Sequence, residues 1–106
     1  MTVERFTALR SELNKAAEEV LQKKGYDYTQ NGNDKLMNFK STAAKLGLTP
    51  MQITAVFLLK QIDALCTLAT FGSVESEPPL QRFVDARNYI DLMYACFIEA
   101  KDENKQ

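Results

Sequence analysis

Residues Thr49–Phe71 read TPMQITAVFLLKQIDALCTLATF, and this stretch decides the fold class. It opens on a helix start signal. Thr49 is a capping residue, Pro50 suits the first helical position, and Gln52 stands where a capping-box partner reaches back to the Thr49 amide. Leu48 and Ile53 are spaced for a hydrophobic staple across that cap. From Met51 to Phe71 apolar side chains occupy nearly every direction around the axis, which predicts a buried central helix. Gln52, Lys60, Asp63, Thr67 and Thr70 nevertheless fall within roughly a quarter-turn of one another at about 100° per residue. Lys60 and Asp63 either pair with each other at i,i+3 and face solvent, or belong to a site.

Working outward, the preceding segment at about 34–46 places Leu36, Phe39, Ala43 and Leu46 on one face, with Gly47 past its end. The short link to the central helix predicts a helical hairpin. Further upstream, Phe6, Leu9, Leu13, Ala16 or Ala17, and Val20 recur at three- and four-residue steps, predicting an amphipathic helix over about 2–24 that Gly25 ends. Glu19 and Lys23 are spaced to support it as an i,i+4 pair. GYDYTQNGN, residues 25–33, then reads as an ordered loop.

Downstream of Phe71, Gly72 breaks the helix, and Ser76 or Glu77 caps a last helix over about 79–100. Phe83, Ala86, Ile90, Met93 and Phe97 make one apolar stripe on it, and Leu80, Val84, Tyr94 and Ile98 a second. A second stripe calls for a partner subunit, most simply a second copy in a two-fold dimer. The tail KDENKQ is expected to fray. With no alternating strand pattern and no internal repeat, the expected architecture is all-α, a single four-helix domain over residues 1–106.

The chain has 106 residues, a net charge of −1 and dispersed Lys and Glu, so it lacks the basic footprint of a duplex nucleic-acid binder. Lys60 and Asp63 interrupt the best candidate for a membrane span, and the first residues lack the apolar run of a signal peptide, so a soluble, cytoplasmic protein with no membrane partner is expected. Cys66 and Cys96 have no CxxC spacing and sit in apolar helical surroundings, reading as reduced core residues. The absence of histidine removes Ser-His and Cys-His catalysis and imidazole metal ligation.

The remaining chemistry lies in carboxylates and cations beside the apolar stripes. Asp85 and Asn88 share a side at i,i+3, the spacing by which one helix offers two oxygen ligands to a hard divalent ion. Glu77 is placed to add a third ligand. Magnesium suits such a set, because it needs one or two protein carboxylates with waters and substrate phosphates. The alternative is that Asp85 and Glu77 only favour the helix N-terminus electrostatically. Arg82 lies within an apolar stripe and pairs with Asp85, pairs with Asp63 across the interface, or holds a ligand phosphate. Arg87 is expected to serve Asp91 or a second subunit. Tyr26, Tyr28 and Phe39 are either base-stacking platforms or core.

KKGYDYTQNGNDKLMNFK, then KQIDAL, then SEPPLQRFVDARNY, together resemble small phage-encoded proteins related to the nucleotide-modification-associated domain family. That family is distantly similar to the all-α nucleoside triphosphate pyrophosphohydrolases typified by MazG. The resemblance covers roughly residues 20 to 98, and its strongest elements are the DY after the lysine-rich stretch and Glu77, Asp85, Asn88 and Tyr89. It implies a MazG-like bundle, a nucleotide ligand and magnesium held by Asp63, Glu77, Asp85 and Asn88. It further implies Lys60 and Asp85 as catalytic residues and Asp27, Tyr28, Asn38, Lys60 and Arg82 as ligand-binding residues.

The sequence departs from those hydrolases in its acids. They carry E-x-x-E on one helix and E-x-x-D on another, whereas here Glu12 is followed by Lys15, no glutamate stands three residues from Glu18 or Glu19, and the last helix has Gln81 and Asn88. Fewer carboxylates hold magnesium less firmly and leave no obvious base. Three functions are therefore expected in competition: slow magnesium-dependent nucleotide hydrolysis, sequestration of a nucleotide or nucleotide second messenger as an anti-defence sponge, and a structural oligomer whose polar stripe is buried pairing.

Overall fold

The computed structural model describes residues 1–29, 32–73 and 78–104, and of these the side chains of 24–29 are not described. Four helices follow in order: α1 over Val3–Thr29, α2 over Met37–Leu46, α3 over Pro50–Phe71 and α4 over Pro79–Asn104. The all-helical expectation holds, and among the described residues no strand occurs.

The ends of these helices show which local signals decide. At α3 the full capping box forms: Thr49 Oγ1 accepts the Gln52 N–H at 3.1 Å, and Gln52 Oε1 accepts the Thr49 N–H at 2.9 Å. Gly47 and Gly72 close α2 and α3 in the left-handed region, at φ 68° and 75°. Gly25 does not end α1, which runs on to Thr29 through the expected loop. Glycine inside a helix costs about 1 kcal/mol against alanine, which weakens a helix without stopping it. Asp34 was expected to begin α2, but its carboxylate Oδ1 instead accepts the Leu36 N–H at 2.9 Å, and the helix starts at Met37. A short acidic side chain competes for nearby backbone in this way and favours turns over helix interiors. The expected fraying after Ala100 gives way to helix as far as Asn104, with Lys101 Nζ 4.8 Å from the Phe97 ring centre.

α3 and α4 form the axis of the molecule. Gln61 meets Arg82 and Phe57 meets Tyr89, so residue numbers rise on one helix as they fall on the other, and the pair is antiparallel. α1 lies along α4 in the parallel sense, with Asn14 bonded to Arg87 and Ala17 to Asn88. The core joins Leu36, Phe39 and Ala43 of the α2 region, Ile53 of α3, and Leu92 and Cys96 of α4. Three rings cross it: Phe39 meets Phe57 edge-on at 6.2 Å, and Phe57 stacks on Tyr89 at 5.6 Å. Phe39 is 1 % exposed, so of its two readings the core one holds.

Two stripe assignments need correction. The buried line of α4 is Val84, Asp85, Ala86, Asn88, Leu92 and Cys96, while Phe83, Ile90 and Phe97 are exposed. Polar residues fill core-facing positions there, and they hid the true stripe. α3 is not buried all round: Ile53, Thr54 and Gln61 are covered, whereas Val56, Leu59, Ile62 and Phe71 face outward. Cys66 is likewise exposed and only Cys96 is a core cysteine; both are free thiols. By length and composition α3 is long and apolar enough to cross a membrane despite Lys60 and Asp63. The molecule measures 48 × 28 × 25 Å with a radius of gyration of 15.7 Å, against about 13 Å for a compact chain of this length.

Candidate functional site

A polar layer runs along α4 where it packs on α3 and on α1, where all-apolar seams would be the simpler solution. Arg82 Nη1 donates to Gln61 Oε1 at 3.4 Å, tying α4 to α3. Gln81 Nε2 donates to Asp85 Oδ1 at 2.8 Å one turn along α4. Asn88 Nδ2 donates to the Ala17 carbonyl at 3.1 Å, and Arg87 donates to the Asn14 side chain, so both tie α4 to α1. Arg87 thus serves α1 and not Asp91. Gln61, Asp85 and Asn88 are 7 %, 7 % and 5 % exposed. Buried polar groups with partners on another helix specify how helices sit on one another, because sliding the helices would break the Arg82–Gln61 and Asn88–Ala17 bonds.

The candidate site residues divide accordingly. Arg82, Asp85 and Asn88 come together on one side of α4. Lys60 and Asp63 are exposed on α3, and at about 100° per residue they point roughly 100° and 160° away from Gln61, the residue that faces α4. Neither forms an ion pair among the described residues, so the expected Lys60–Asp63 pairing does not occur within the chain. Asn38 is half-buried on α2. Asp27 and Tyr28 fall in the last turn of α1 and not in a loop, and their side chains lie outside the described residues, as does Glu77 altogether.

The described residues do not fit magnesium. The ion keeps several waters and binds through open carboxylates, whereas Asp85 and Asn88 are buried, Asp85 accepts from Gln81 and Asn88 is bonded to the α1 backbone. Asp63 stands on the outward face of α3. Among the described residues no group of three acidic or cysteine side chains is placed to hold a metal ion.

A charged cluster that the sequence reading did not single out lies at the other end of the core. Lys40 Nζ donates to Asp34 Oδ2 at 2.6 Å and to Glu99 Oε1, linking the start of α2 to the end of α4. The Lys40 bond, with the Leu36 N–H second, holds the Asp34 carboxyl below its usual range. The Asp34 and Glu99 bonds raise the Lys40 ammonium above its ordinary value. Burial pushes the nearby Cys96 thiol up, although the Thr54 hydroxyl opposes this. No local signal marks this cluster, since Asp34 and Lys40 are six residues apart and Glu99 is 59 positions beyond Lys40.

This cluster borders an open groove of about 1000 Å³ lined by Leu21, Leu36, Leu92 and Ile98, with Asp91 and Asp102 outweighing the one lining lysine, Lys35, beside the Asp34 and Glu99 carboxylates of the cluster. A second cavity of about 240 Å³ lies beyond Glu99 between the starts of α3 and the end of α4, and a third of about 700 Å³ separates α1 from Leu80 and Phe83. Asn38, Lys60, Asp63, Arg82, Asp85 and Asn88 line none of these three. The acidic lining of the largest favours cationic or neutral groups over phosphates. Compared with family models, curated proteins and solved structures, the chain matches none.

Proposed function

We propose that the chain is a homo-oligomeric nucleotide-binding protein of the MazG-like group that holds its ligand without hydrolysing it. The observation that carries the choice of binding over hydrolysis is the placement of Asp85 and Asn88. The pair on which magnesium would depend is buried and hydrogen-bonded within the helix packing. The Asn88 amide keeps α1 in register on α4, the Asp85 carboxylate is buried and bonded along its own helix, and the two cannot also open to coordinate an ion and its waters without breaking that packing. The nucleotide itself rests on the resemblance of KGYDY, KQIDAL and DARNY to phage nucleotide-associated proteins. The homo-oligomer rests on the outward apolar residues of α3 and α4.

A thermal-shift panel of nucleoside mono-, di- and triphosphates and cyclic dinucleotides, with and without magnesium, tests this. A ligand that binds only the folded state raises its apparent stability. The expected result is stabilisation by a nucleotide, insensitive to chelator, with no phosphate or pyrophosphate released. Magnesium-dependent release that disappears in Asp85→Asn would instead establish the hydrolase and place Asp85 at its metal. No stabilisation by any nucleotide would leave the chain as a structural oligomer.

A further inference from the structure

We infer that the outward face of α3 is a two-fold interface with a second copy of this chain, in which the two α3 helices pack antiparallel, centred at the level of residue 61 along the axis, and exchange Lys60–Asp63 ion pairs. The inference deepens the proposed homo-oligomer by naming its surface and geometry.

The first observation is the amount of surface left over. A folded monomer of 12.0 kDa is expected to expose about 6,000 Å². This chain exposes 7579 Å². Spread over an elongated molecule, the excess leaves room for the roughly 800 Å² that each partner contributes to a stable interface.

The second observation is the pattern on α3. Gln52, Val56, Leu59, Asp63, Cys66 and Thr70 are all exposed and are spaced 4, 3, 4, 3 and 4 residues apart, the a/d seam of a paired helix. At about 100° per residue this seam points directly away from the Ile53, Thr54, Phe57 and Gln61 side that packs on the rest of the chain. Val56 is 58 % exposed and Leu59 61 %, with Ile62 beside them at 41 %.

The third observation selects the occupant. In an antiparallel second copy centred on residue 61 the seam positions meet in pairs, Gln52 with Thr70, Val56 with Cys66 and Leu59 with Asp63, the reciprocal pairing of an isologous contact. With the two-fold axis at the level of residue 61, Lys60 of one copy lies opposite residue 62 of the other, one residue or about 1.5 Å of helix rise from Asp63. Both charges are exposed and form no ion pair among the described residues. The seam is mixed, with Val56, Leu59 and Cys66 apolar and Gln52, Asp63 and Thr70 polar, and Asp63 within it with Lys60 on its flank fixes the register, as a polar residue at a single seam position does. A bilayer would have to desolvate both charges with no partner.

The experiment uses the full chain, with light scattering for mass and far-ultraviolet circular dichroism for helix. The wild type is expected as a particle of about 24 kDa, twice the 12.0 kDa chain. Leu59→Glu, on an exposed side chain, should raise the dimer dissociation constant on the order of 100-fold with unchanged helix content, since it places an unpaired charge in the seam. Lys60→Glu should weaken the dimer, and adding Asp63→Lys should restore it. Val56→Cys places a thiol opposite Cys66 of the second copy, and mild oxidation should give a covalent dimer. The same two positions are ten residues, about 15 Å, apart along one helix and cannot close within a chain.

A wild type that stays at 12 kDa overturns both the homo-oligomer and this interface. A dimer indifferent to Leu59→Glu and not captured by Val56→Cys overturns the interface alone. Covalent dimer through Cys66 in the otherwise unaltered chain shows parallel packing and overturns the two-fold antiparallel geometry. Flotation of a monomer with vesicles of phosphatidylcholine and phosphatidylglycerol at three to one, abolished by Leu59→Glu, assigns the face to a lipid surface and likewise overturns it.

Discussion

The Asn88 side-chain amide donates to the main-chain carbonyl of Ala17 at 3.1 Å, across 71 residues of sequence and with Asn88 only 5 % exposed. With the Arg87–Asn14 bond, it gives α1 a defined register on α4. It also explains why asparagine and not aspartate occupies this position: a carbonyl needs a donor opposite it. Asn88→Asp sets a carboxylate against the Ala17 oxygen and is expected to cost about 2–3 kcal/mol in urea unfolding, near the upper end for an unsatisfied buried polar group. If Asn88 were instead a magnesium ligand, the same substitution would strengthen magnesium binding. Calorimetric titration with magnesium chloride, run on both forms, separates the two outcomes.

Gly25 and Gly47 carry opposite expectations. Gly47 closes α2 at φ 68° with open space where a Cβ would stand, so Gly47→Ala meets backbone strain alone and should destabilise by about 1–2 kcal/mol. Gly25 lies within α1, where alanine has the higher helix propensity, so Gly25→Ala should stabilise by about 0.5–1 kcal/mol. Thermal melts of the two variants should move in opposite directions. A loss of stability in Gly25→Ala would put a turn where α1 now continues.

Phe39 is 1 % exposed and its ring meets Phe57, which in turn stacks on Tyr89. Phe39→Ala should therefore cost about 3–5 kcal/mol through the cavity it leaves. The cost should be the same with and without nucleotide. A variant that keeps its stability and loses only ligand binding would return Phe39 to the base-stacking role.

What was legible in the sequence was local. Thr49, Pro50 and Gln52 announced the start of α3, and Gly47 and Gly72 the ends of α2 and α3, because caps depend on residues within one turn. Gly25 misled because the same residue type permits a stop without requiring one. The faces of the helices were harder. α4 buries Asp85 and Asn88 in line with Leu92 and Cys96, so a hydrophobic stripe drawn through it passes along the wrong side. The all-round apolarity of α3 reads as burial within one chain, whereas half of it faces outward. The Lys40 cluster was invisible, because Glu99 reaches Lys40 only after the chain has folded back through α3.

That cluster carries a pH dependence whose sign is fixed by its bonds. The Asp34 carboxyl is held below its ordinary value by Lys40, so its contribution is present above the unfolded value near pH 4 and is lost as pH falls through the folded one. The Lys40 ammonium is raised by Asp34 and Glu99, so its contribution is complete below the unfolded value near pH 10 and is lost only as pH climbs through the higher folded one. Between about pH 5 and 10 the whole network should operate. The three side chains are 30 %, 32 % and 37 % exposed for Lys40, Asp34 and Glu99, and solvent screening of that degree limits the network to about 1 kcal/mol. Lys40→Met keeps the length of the side chain and removes its charge. It should lower stability by that amount across the plateau, less in 1 M salt, and by progressively less below pH 4, where the wild type loses the same contacts. Urea midpoints of the two proteins at pH 3, 7 and 9 measure this. A difference as large at pH 3 as at pH 7 would mean that Lys40 stabilises through its aliphatic stem and not through its charge.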